Sequence, residues 1–187
     1  NEYIMSPKDL CTIGFLDQVL DSGSSILKIE GRGRSPEYVK TTTQCYREAA
    51  DAYLEGTYNK EKIKGWMSRL TTVYNRGFWD GYYLGQKIGE WTGAHGSKAT
   101  KKKIYLGKAK KYFTKIQVAE FDLEAQHLKE GDNILIAGKT TGIIETIVAE
   151  IRINDKQVKG VKKGDNFSIK LNHKVRPSDK LYKVINN

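Results

Sequence analysis

Two Ser-Pro pairs, each placed after a short apolar run, constrain the fold of the first third of the chain. Tyr3-Ile4-Met5 precedes Ser6-Pro7, and residues 25–29 (SILKI) precede Ser35-Pro36. Serine is a favoured N-cap and proline fits the first helical turn, so each pair predicts a helix that follows a strand. The strand–helix–strand–helix order is typical of a parallel sheet or a (β/α) barrel.

Apolar spacing predicts the buried face of each helix. The first helix, which ends at Gly23, has as its apolar face Leu10, Ile13, Leu16 and Leu20. The second, which ends at Gly56, has as its buried stripe Val39, Thr43, Tyr46, Ala50 and Tyr53. Between them, residues 30–34 (EGRGR) read as a charged turn. A third helix is predicted over 60–75.

Two βα units are too few to make a complete (β/α) domain, because parallel strands need neighbours on both sides and helices on both faces. We therefore expect residues 1–58 to be the C-terminal βαβα end of a TIM-like barrel whose other strands lie upstream. Residues 59–100 are predicted to be a helical segment and connector. On this interpretation the chain is the C-terminal part of a larger protein and is not catalytic alone.

The sequence pattern changes near Ile104, where apolar residues begin to alternate with Lys and Thr. The stretch 128–134 (LKEGDNI) is similar to 161–167 (VKKGDNF), and 177–182 (PSDKLY) is a third, weaker repeat of the same pattern. Gly-Asp favours a turn, and the apolar residues after it enter a strand. Six or so such strands predict a small β-barrel over 101–187. The predicted fold class is thus α/β plus all-β.

The net charge of +10 is concentrated in this last domain. Residues 1–100 contain 13 Lys/Arg and 12 Asp/Glu, whereas residues 101–187 contain 19 and 10, a local excess of +9. Such a basic domain is typical of polyanion binding, with RNA as the expected partner; solubility is the alternative reading. The candidate nucleic-acid contacts are Lys101, Lys102, Lys103, Lys108, Lys110, Lys111, Lys162 and Lys163.

Lys28, Glu30 and Arg32 lie at or just after the end of the second predicted strand. Because chemistry in a (β/α) barrel takes place at the C-terminal ends of the strands, these three are the candidate catalytic residues. A cation beside a carboxylate can hold an anionic cosubstrate there. A structural salt bridge that closes the barrel is the alternative.

The common signatures of self-contained hydrolases are missing from the sequence. His95, His127 and His173 have no Ser or Cys partner in a recognisable nucleophile setting, and there is no HExxH, GxSxG or Walker loop. A self-contained protease or NTPase is therefore disfavoured. No apolar run reaches the ~18 residues of a membrane span, and no signal pattern begins the chain, so the cytoplasm is expected.

A combination of motifs in the first 85 residues resembles one known family. The motifs are residues 3–11 (YIMSPKDLC), 27–32 (LKIEGR), 35–39 (SPEYV), 46–49 (YREA) and 75–78 (NRGF). Together they resemble the collagenase-like peptidase family U32. The basic domain resembles the C-terminal domain of that family more loosely.

The resemblance implies an RNA-modifying enzyme, most similar to the prephenate-dependent hydroxylases of tRNA uridine, which work without oxygen. It implies prephenate as cosubstrate and an iron–sulfur cluster in the full-length protein, with neither expected in this chain alone. The expected partners are tRNA or other RNA and the upstream barrel of the same chain. A collagenase-like peptidase and a protein-binding accessory domain remain open alternatives.

The resemblance also makes Cys11 a candidate cluster ligand. Cys11 is expected one turn into the first predicted helix, where the helix dipole favours the thiolate. A buried, inert thiol is the alternative. Cys45 is expected in the core, because it lies in the middle of the second predicted helix.

Overall fold

A computed structural model describes residues 7–93 and 96–187, and the chain divides into two units, residues 1–100 and 101–187. Each unit has an apolar core of its own. The predicted strand at residues 3–5 and the predicted cap Ser6 lie outside the described residues. None of the described helices combines the length and the apolar character needed to cross a bilayer.

Three helices and a pair of two-residue strands make up the regular structure of the N-terminal unit. In chain order the elements are β1 (Asp9–Leu10), α1 (Leu16–Asp21), α2 (Pro36–Leu54), α3 (Lys60–Leu70) and β2 (Phe78–Trp79). The two strands pair in parallel. The core between the helices is formed by Cys11, Ile13, Leu16, Cys45, Ala49, Ala52, Trp66 and Leu70.

Helix α2 confirms the second Ser-Pro prediction. Ser35 is its extended N-cap, Pro36 is its first residue, and Gly56 follows its end with a φ of 68°. A positive φ at this place suits glycine, which has no Cβ to clash. The buried face is shifted by one residue from the predicted stripe and comprises Thr42, Cys45, Ala49 and Ala52. The prediction that Cys45 lies in the core is confirmed.

The first Ser-Pro prediction is wrong within the described residues. Pro7 bridges Trp91, and the amides of Asp9 and Cys11 donate to the carbonyls of Gly77 and Trp79. This pairing with a distant strand overrides the local helix signal, as tertiary contacts often do. The helix starts only at α1, and Leu10, predicted on its buried face, is 53% exposed.

The predicted strand over 25–29 is not formed among the described residues. Residues 24–30 have no regular structure, and Ile26 is 89% exposed. A strand forms only where another strand takes up its backbone hydrogen bonds, and no described residue does so here. The end of a TIM-like barrel is therefore not visible in this unit. The turn predicted over 30–34 is present, closed by the Arg34 amide on the Gly31 carbonyl at 3.0 Å.

Helix α3 ends at Leu70, five residues earlier than predicted, with Thr71 as its C-cap. Its N-cap is Asn59, whose side chain accepts a hydrogen bond from the Lys62 amide at 3.0 Å. The predicted connector after α3 is mostly turns and bends, and the first strand of the next unit begins at Lys101.

The C-terminal unit contains ten described strands. They are β3 (Lys101–Phe113), β4 (Val118–Leu123), β5 (His127–Lys129), β6 (Asn133–Gly138), β7 (Gly142–Ile147), β8 (Ile151–Ile153), β9 (Lys156–Val158), β10 (Gly160–Lys162), β11 (Asn166–Lys170) and β12 (Lys180–Asn186). Eight form an antiparallel sheet in the order β7-β6-β12-β3-β4-β11-β8-β9, and β5 pairs with β10. Ile144 of β7 and Ile151 of β8 share one core although their strands lie near opposite edges. The sheet therefore curves around that core.

Three turns of the same construction open three of these strands. In each, the amide of an aspartate donates to the carbonyl three residues earlier, at 3.2 Å for Asp132, 3.0 Å for Asp165 and 3.1 Å for Asp179. The carboxylate of the same aspartate accepts the amide of that earlier residue, at 2.9, 2.8 and 2.8 Å. We call these the aspartate-closed turns. They confirm the two turns predicted at Gly-Asp and the third predicted repeat, at residues 177–182.

The residue before each aspartate has a positive φ. Gly131 and Gly164 hold this place in the first two turns, with φ of 85° and 97°, whereas the third turn has Ser178 at 72°. Glycine adopts this conformation freely, but for an L-residue it costs about 1–2 kcal/mol. The third turn is therefore the strained one.

The aspartate-closed turns predict that substitutions at two equivalent positions change the free energy of unfolding in opposite directions. Ser178→Gly should raise the free energy of unfolding by about 0.5–1 kcal/mol, because it relieves the strained φ at some cost in chain entropy. Gly164→Ala should lower it by about 1–2 kcal/mol, since nothing lies within 4 Å of the added Cβ and only the backbone is strained. Urea unfolding of the 187-residue chain, followed by circular dichroism, measures both. Equal signs for the two changes would contradict the shared geometry.

Candidate functional site

A cleft of about 960 Å³ in the N-terminal unit brings the three candidate catalytic residues together. Lys28, Glu30 and Arg32 all line it. They are exposed and lie on the irregular segment that precedes α2, rather than at the end of a strand. Within the described residues, Lys28 and Arg32 take part in no ion pair. Their catalytic role stays a prediction.

The carboxylate of Glu30 shapes the turn that carries Arg32. Its Oε1 accepts the Arg32 amide at 2.6 Å. On the other side of the turn, a Cβ at Gly31 would lie 3.0 Å from Cγ2 of Val39, so glycine lets the backbone approach α2 closely. The turn is thus positioned against the helix by backbone contacts, while the side chains of Glu30 and Arg32 remain accessible from the cleft.

A second group of charges in the same cleft was not predicted from sequence. Asp9 Oδ1 accepts from Arg34 Nη2 at 3.1 Å and from Arg76 Nη2 at 3.3 Å, and Asp9 Oδ2 accepts the Arg76 amide at 2.9 Å. The guanidinium of Arg34 also lies over the rings of Tyr38 and Tyr74, at 5.2 and 4.5 Å. Arg76 Nε is buried and has no hydrogen-bond partner among the described residues.

Two guanidinium groups on one carboxylate leave this group of charges with a net positive charge. The cleft is lined by five cations, which are Lys8, Lys28, Arg32, Arg34 and Arg76, and by two carboxylates, Asp9 and Glu30. Arginine offers several donors in a fixed plane that match carboxylate and phosphate oxygens. The cleft is therefore chemically suited to an anion.

The sequence contained part of the signal for this group. Asp9 and Arg76 both belong to the motifs that carry the family resemblance. Their contact could not be predicted, because 67 residues separate them and the pairing of β1 with β2 brings them together.

Cys11 does not have the surroundings expected of a reactive thiolate. It follows β1 instead of lying in a helix and is buried, with its Sγ 3.8 Å from Met67 Sδ and 3.9 Å from the Tyr46 hydroxyl. Burial raises the pKa of the Cys11 thiol, so the helix-dipole prediction is wrong. Among residues 7–93 and 96–187, no three His, Cys, Asp or Glu side chains are grouped to hold a metal. The described residues alone do not fit an iron–sulfur cluster.

All eight candidate lysines of the C-terminal unit are exposed, but several already have partners. Lys108 pairs with Glu124 at 3.2 Å, and Lys110 lies 3.6 Å from Glu120 and 3.7 Å from Asp122. Glu124 also accepts the hydroxyl of Tyr105, and these two contacts hold the pKa of the Glu124 carboxyl below its ordinary value. Much of the charge on this face of the sheet is therefore neutralised locally.

The eight lysines also do not form one surface. Lys101 and Lys111 stand on the same strand, β3, and at about 3.3 Å per residue they are roughly 30 Å apart. Lys162 and Lys163 belong to the second aspartate-closed turn, and Lys103 lies over the ring of Tyr182 at 4.9 Å. Sequence alone could not show this, because the register of β4 decides which carboxylates face β3.

Comparison with known proteins gives the family. The sequence model described as peptidase family U32 matches residues 1–93. A protein named collagenase from Porphyromonas gingivalis W83 is 55% identical over 183 residues, which is 98% of this chain and 44% of that protein. The chain belongs to peptidase family U32. It spans about half the length of the two P. gingivalis collagenases, 44% of one and 51% of the other.

Other proteins that are similar to this chain carry different names. An uncharacterized protease of Methanocaldococcus jannaschii is 39% identical over 97% of this chain and 44% of its own length. The tRNA hydroxylation protein P1 of Bacillus subtilis is 32% identical over 78% of this chain and 35% of its own length. A crystal structure of a C-terminal domain of a U32 peptidase from Geobacillus thermoleovorans is 15% identical, covers 42% of this chain and 90% of that chain, and has a TM-score of 0.40. That likeness is weak and adds nothing to the family assignment.

The thiols of this U32 chain should react slowly while it is folded. Both cysteines are buried, and burial raises the pKa of Cys45 to about 11, so at pH 8 neither offers much thiolate. Alkylation of the folded chain should be at least ~100-fold slower than in urea. Mass spectrometry of each cysteine peptide at successive times measures both rates. Equally fast labelling of Cys11 in the folded chain would contradict its burial on Met67.

Proposed function

We propose that the full-length protein is an RNA-modifying enzyme that hydroxylates a tRNA uridine without oxygen, and that the C-terminal unit holds the RNA. The observation that carries the proposal is the +9 excess of the C-terminal unit, whose lysines are exposed rather than buried in its core. A domain of this charge favours a polyanion, because each phosphate contact releases counterions. The likeness to a tRNA hydroxylation protein over 78% of the chain supports RNA as that polyanion.

In this proposal the cleft of the N-terminal unit contributes to the catalytic site. Lys28 and Arg32 attract an anionic cosubstrate, with prephenate as the proposed molecule, and Glu30 balances the charge and holds the turn. The arginines on Asp9 add further donors for an anion. Lys28, Glu30 and Arg32 are exposed in this cleft, so substrate can reach them without any opening of the core.

We further propose that residues 1–58 complete a TIM-like barrel contributed by the remaining part of the protein. The segment 24–30 supports this, because its backbone has no strand partner among the described residues while Ile26 and Leu27 are 89% and 37% exposed. Exposed adjacent apolar side chains commonly mark a surface that another part of a protein covers. An added parallel strand would cover them and turn Lys28 and Glu30 toward a barrel mouth.

An iron–sulfur cluster in the full-length protein belongs to the same proposal, as does a cytoplasmic location. Such a cluster supplies one-electron chemistry when bound. Its ligands must come mainly from outside the described residues. Cys11 can join them only if its thiol leaves Met67 and loses its proton, which its raised pKa disfavours.

A collagenase-like peptidase is the second candidate, and the 55% identity to a P. gingivalis collagenase favours it. The chemistry of the described residues argues against it. No serine or cysteine in the described part is hydrogen-bonded to a histidine, and both thiols are buried. A peptidase would therefore need its nucleophile or metal from elsewhere in the full-length protein.

Replacement of Glu30 by glutamine in the full-length protein tests the proposed site. The change keeps the shape of the side chain and removes its charge, so we expect hydroxyuridine in tRNA to fall by ~10-fold or more while the protein remains folded. The measurement is nucleoside mass spectrometry of tRNA from cells in which the variant is the sole copy. Glu55→Gln is the matched control, because Glu55 is exposed at the end of α2 and does not line the cleft.

Three results would contradict parts of the proposal. Normal hydroxyuridine with Glu30→Gln would remove Glu30 from the site. Unchanged hydroxyuridine in cells that lack the protein altogether would contradict the proposed reaction, once a redundant enzyme has been deleted as well. Cleavage of gelatin by the purified full-length protein, lost with Glu30→Gln, would establish the peptidase instead.

A further inference from the structure

One end of the C-terminal unit is rich in positive charge, and Glu120, the strand partner of Lys111, lies at its border. Two segments form it, residues 111–119 and 168–178, and together they contain five Lys/Arg and no Asp or Glu. We call this surface the basic end; its cations are Lys111, Lys115, Lys170, Lys174 and Arg176. Only Lys111 was among the residues nominated from sequence.

The fold fastens the two segments to each other. The Leu171 amide donates to the Gln117 carbonyl at 2.8 Å, and the Tyr112 hydroxyl donates to the Leu171 carbonyl at 2.8 Å. Farther along, the Ser178 amide donates to the Ala109 carbonyl at 2.8 Å. The loop before β12 therefore runs alongside β3, and its cations lie beside those of the β3–β4 hairpin.

Burial of one residue orients the loop. Val175 is 1% exposed and packs into the core of the unit, while its neighbours Lys174 and Arg176 are exposed. Arg176 donates to the hydroxyl of Thr141 at 3.1 Å, which extends the surface toward the β6–β7 hairpin. The loop is thus fixed by its core contact and presents its cations outward.

The cations of the basic end are available to a partner. All five are exposed, and within the part of the chain that the structure describes none of them forms an ion pair. Lys108 and Lys110, farther along β3, are by contrast paired with carboxylates. An incoming anion would therefore displace no carboxylate from these five cations.

Exposed apolar side chains lie among these cations. Phe113 is 37% exposed and Ile116 is 62% exposed, and Lys111 Nζ lies 4.8 Å from the centre of the Phe113 ring. Aromatic rings bordered by cations are the means by which proteins hold single-stranded RNA, with phosphates on the charges and a base against the ring. An acidic protein partner would match the charge but gives no reason for the exposed ring.

We propose that the basic end is the RNA-binding surface of the chain, with the five cations on phosphates and an unpaired base against Phe113. The proposal rests on the proposed function for the presence of RNA and adds where the RNA binds. Five phosphate contacts on a single strand predict a slope of about −3.5 for the logarithm of affinity against that of salt concentration. Affinity should therefore fall roughly 100-fold between about 50 and 200 mM salt.

Two double variants with the same change in net charge distinguish binding at the basic end from attraction by the overall charge of the chain. Lys115→Glu with Lys174→Glu changes the basic end, and Lys156→Glu with Lys159→Glu makes the same change in net charge at two exposed lysines outside it. Filter binding of the 187-residue chain to total tRNA at about 50 mM salt measures affinity, and circular dichroism checks folding. We expect the first pair to weaken binding by ~100-fold and the control pair by ~3-fold or less.

Phe113→Ala provides a second test, because this substitution leaves the charge of the chain unchanged. It should weaken binding to oligouridine by ~10-fold and leave binding to duplex RNA nearly unchanged, because only an unpaired base can lie against the ring. Equal losses for both RNA forms would overturn the role of Phe113.

The outcomes distinguish the location from the function. Equal weakening by the two double variants, or weakening by the control pair alone, would overturn the basic end as the binding surface while RNA binding itself stands. No binding of the unaltered chain at the lower salt would overturn the RNA role in the proposed function as well.

Discussion

The carboxylate that closes each aspartate-closed turn is the interaction on which the C-terminal unit depends. Each of these side chains caps the amide of the residue that begins the turn, and the turn then directs the chain into a strand of the sheet. Asp132 and Asp179 do this while they are buried, and Asp132 also holds Lys183 at 2.7 Å. A buried carboxylate is tolerated when donors reach it, and here Oδ2 of each accepts a backbone amide.

The third aspartate-closed turn links this architecture to the basic end. A Cβ at Gly138 would lie 1.8 Å from Asp179 Oδ1, so only glycine lets β6 pass this close to the turn. The same turn pairs with β3 through the Ala109 amide on the Asp179 carbonyl at 2.8 Å. The cationic loop is therefore fastened at both of its ends, and its charges are held in place before any ligand arrives.

Sequence reasoning was most successful where the signal was local. Ser35-Pro36 marked the start of α2, Gly56 marked its end, and the repeated Gly-Asp marked two of the aspartate-closed turns, because each signal depends only on neighbouring backbone geometry. It failed at Pro7, where pairing with distant residues decides the structure, and the strand predicted over 25–29 is not formed among the described residues. The Asp9 contacts and the Lys–Glu pairs of β3 and β4 depend on strand register in the same way. The sequence shows that residues 168–178 contain no Asp or Glu. That this segment lies beside residues 111–119 could be learned only from the folded structure.

The two units support one account of function from separate directions. The N-terminal unit belongs to peptidase family U32 by its sequence and offers a cleft with more cations than carboxylates. The C-terminal unit has the charge and the exposed ring suited to RNA. Neither contains, within the described residues, a nucleophile positioned for peptide hydrolysis. The RNA modification proposed above would draw on both units.

Ultraviolet crosslinking of the full-length protein to RNA in living cells, with the crosslinked peptides mapped by mass spectrometry, tests the RNA account most directly. The account predicts crosslinks in tRNA that map to residues 111–117 and 170–176, with Phe113 as the most frequent site. Crosslinks confined to other parts of the chain, or the absence of RNA from residues 101–187, would contradict it.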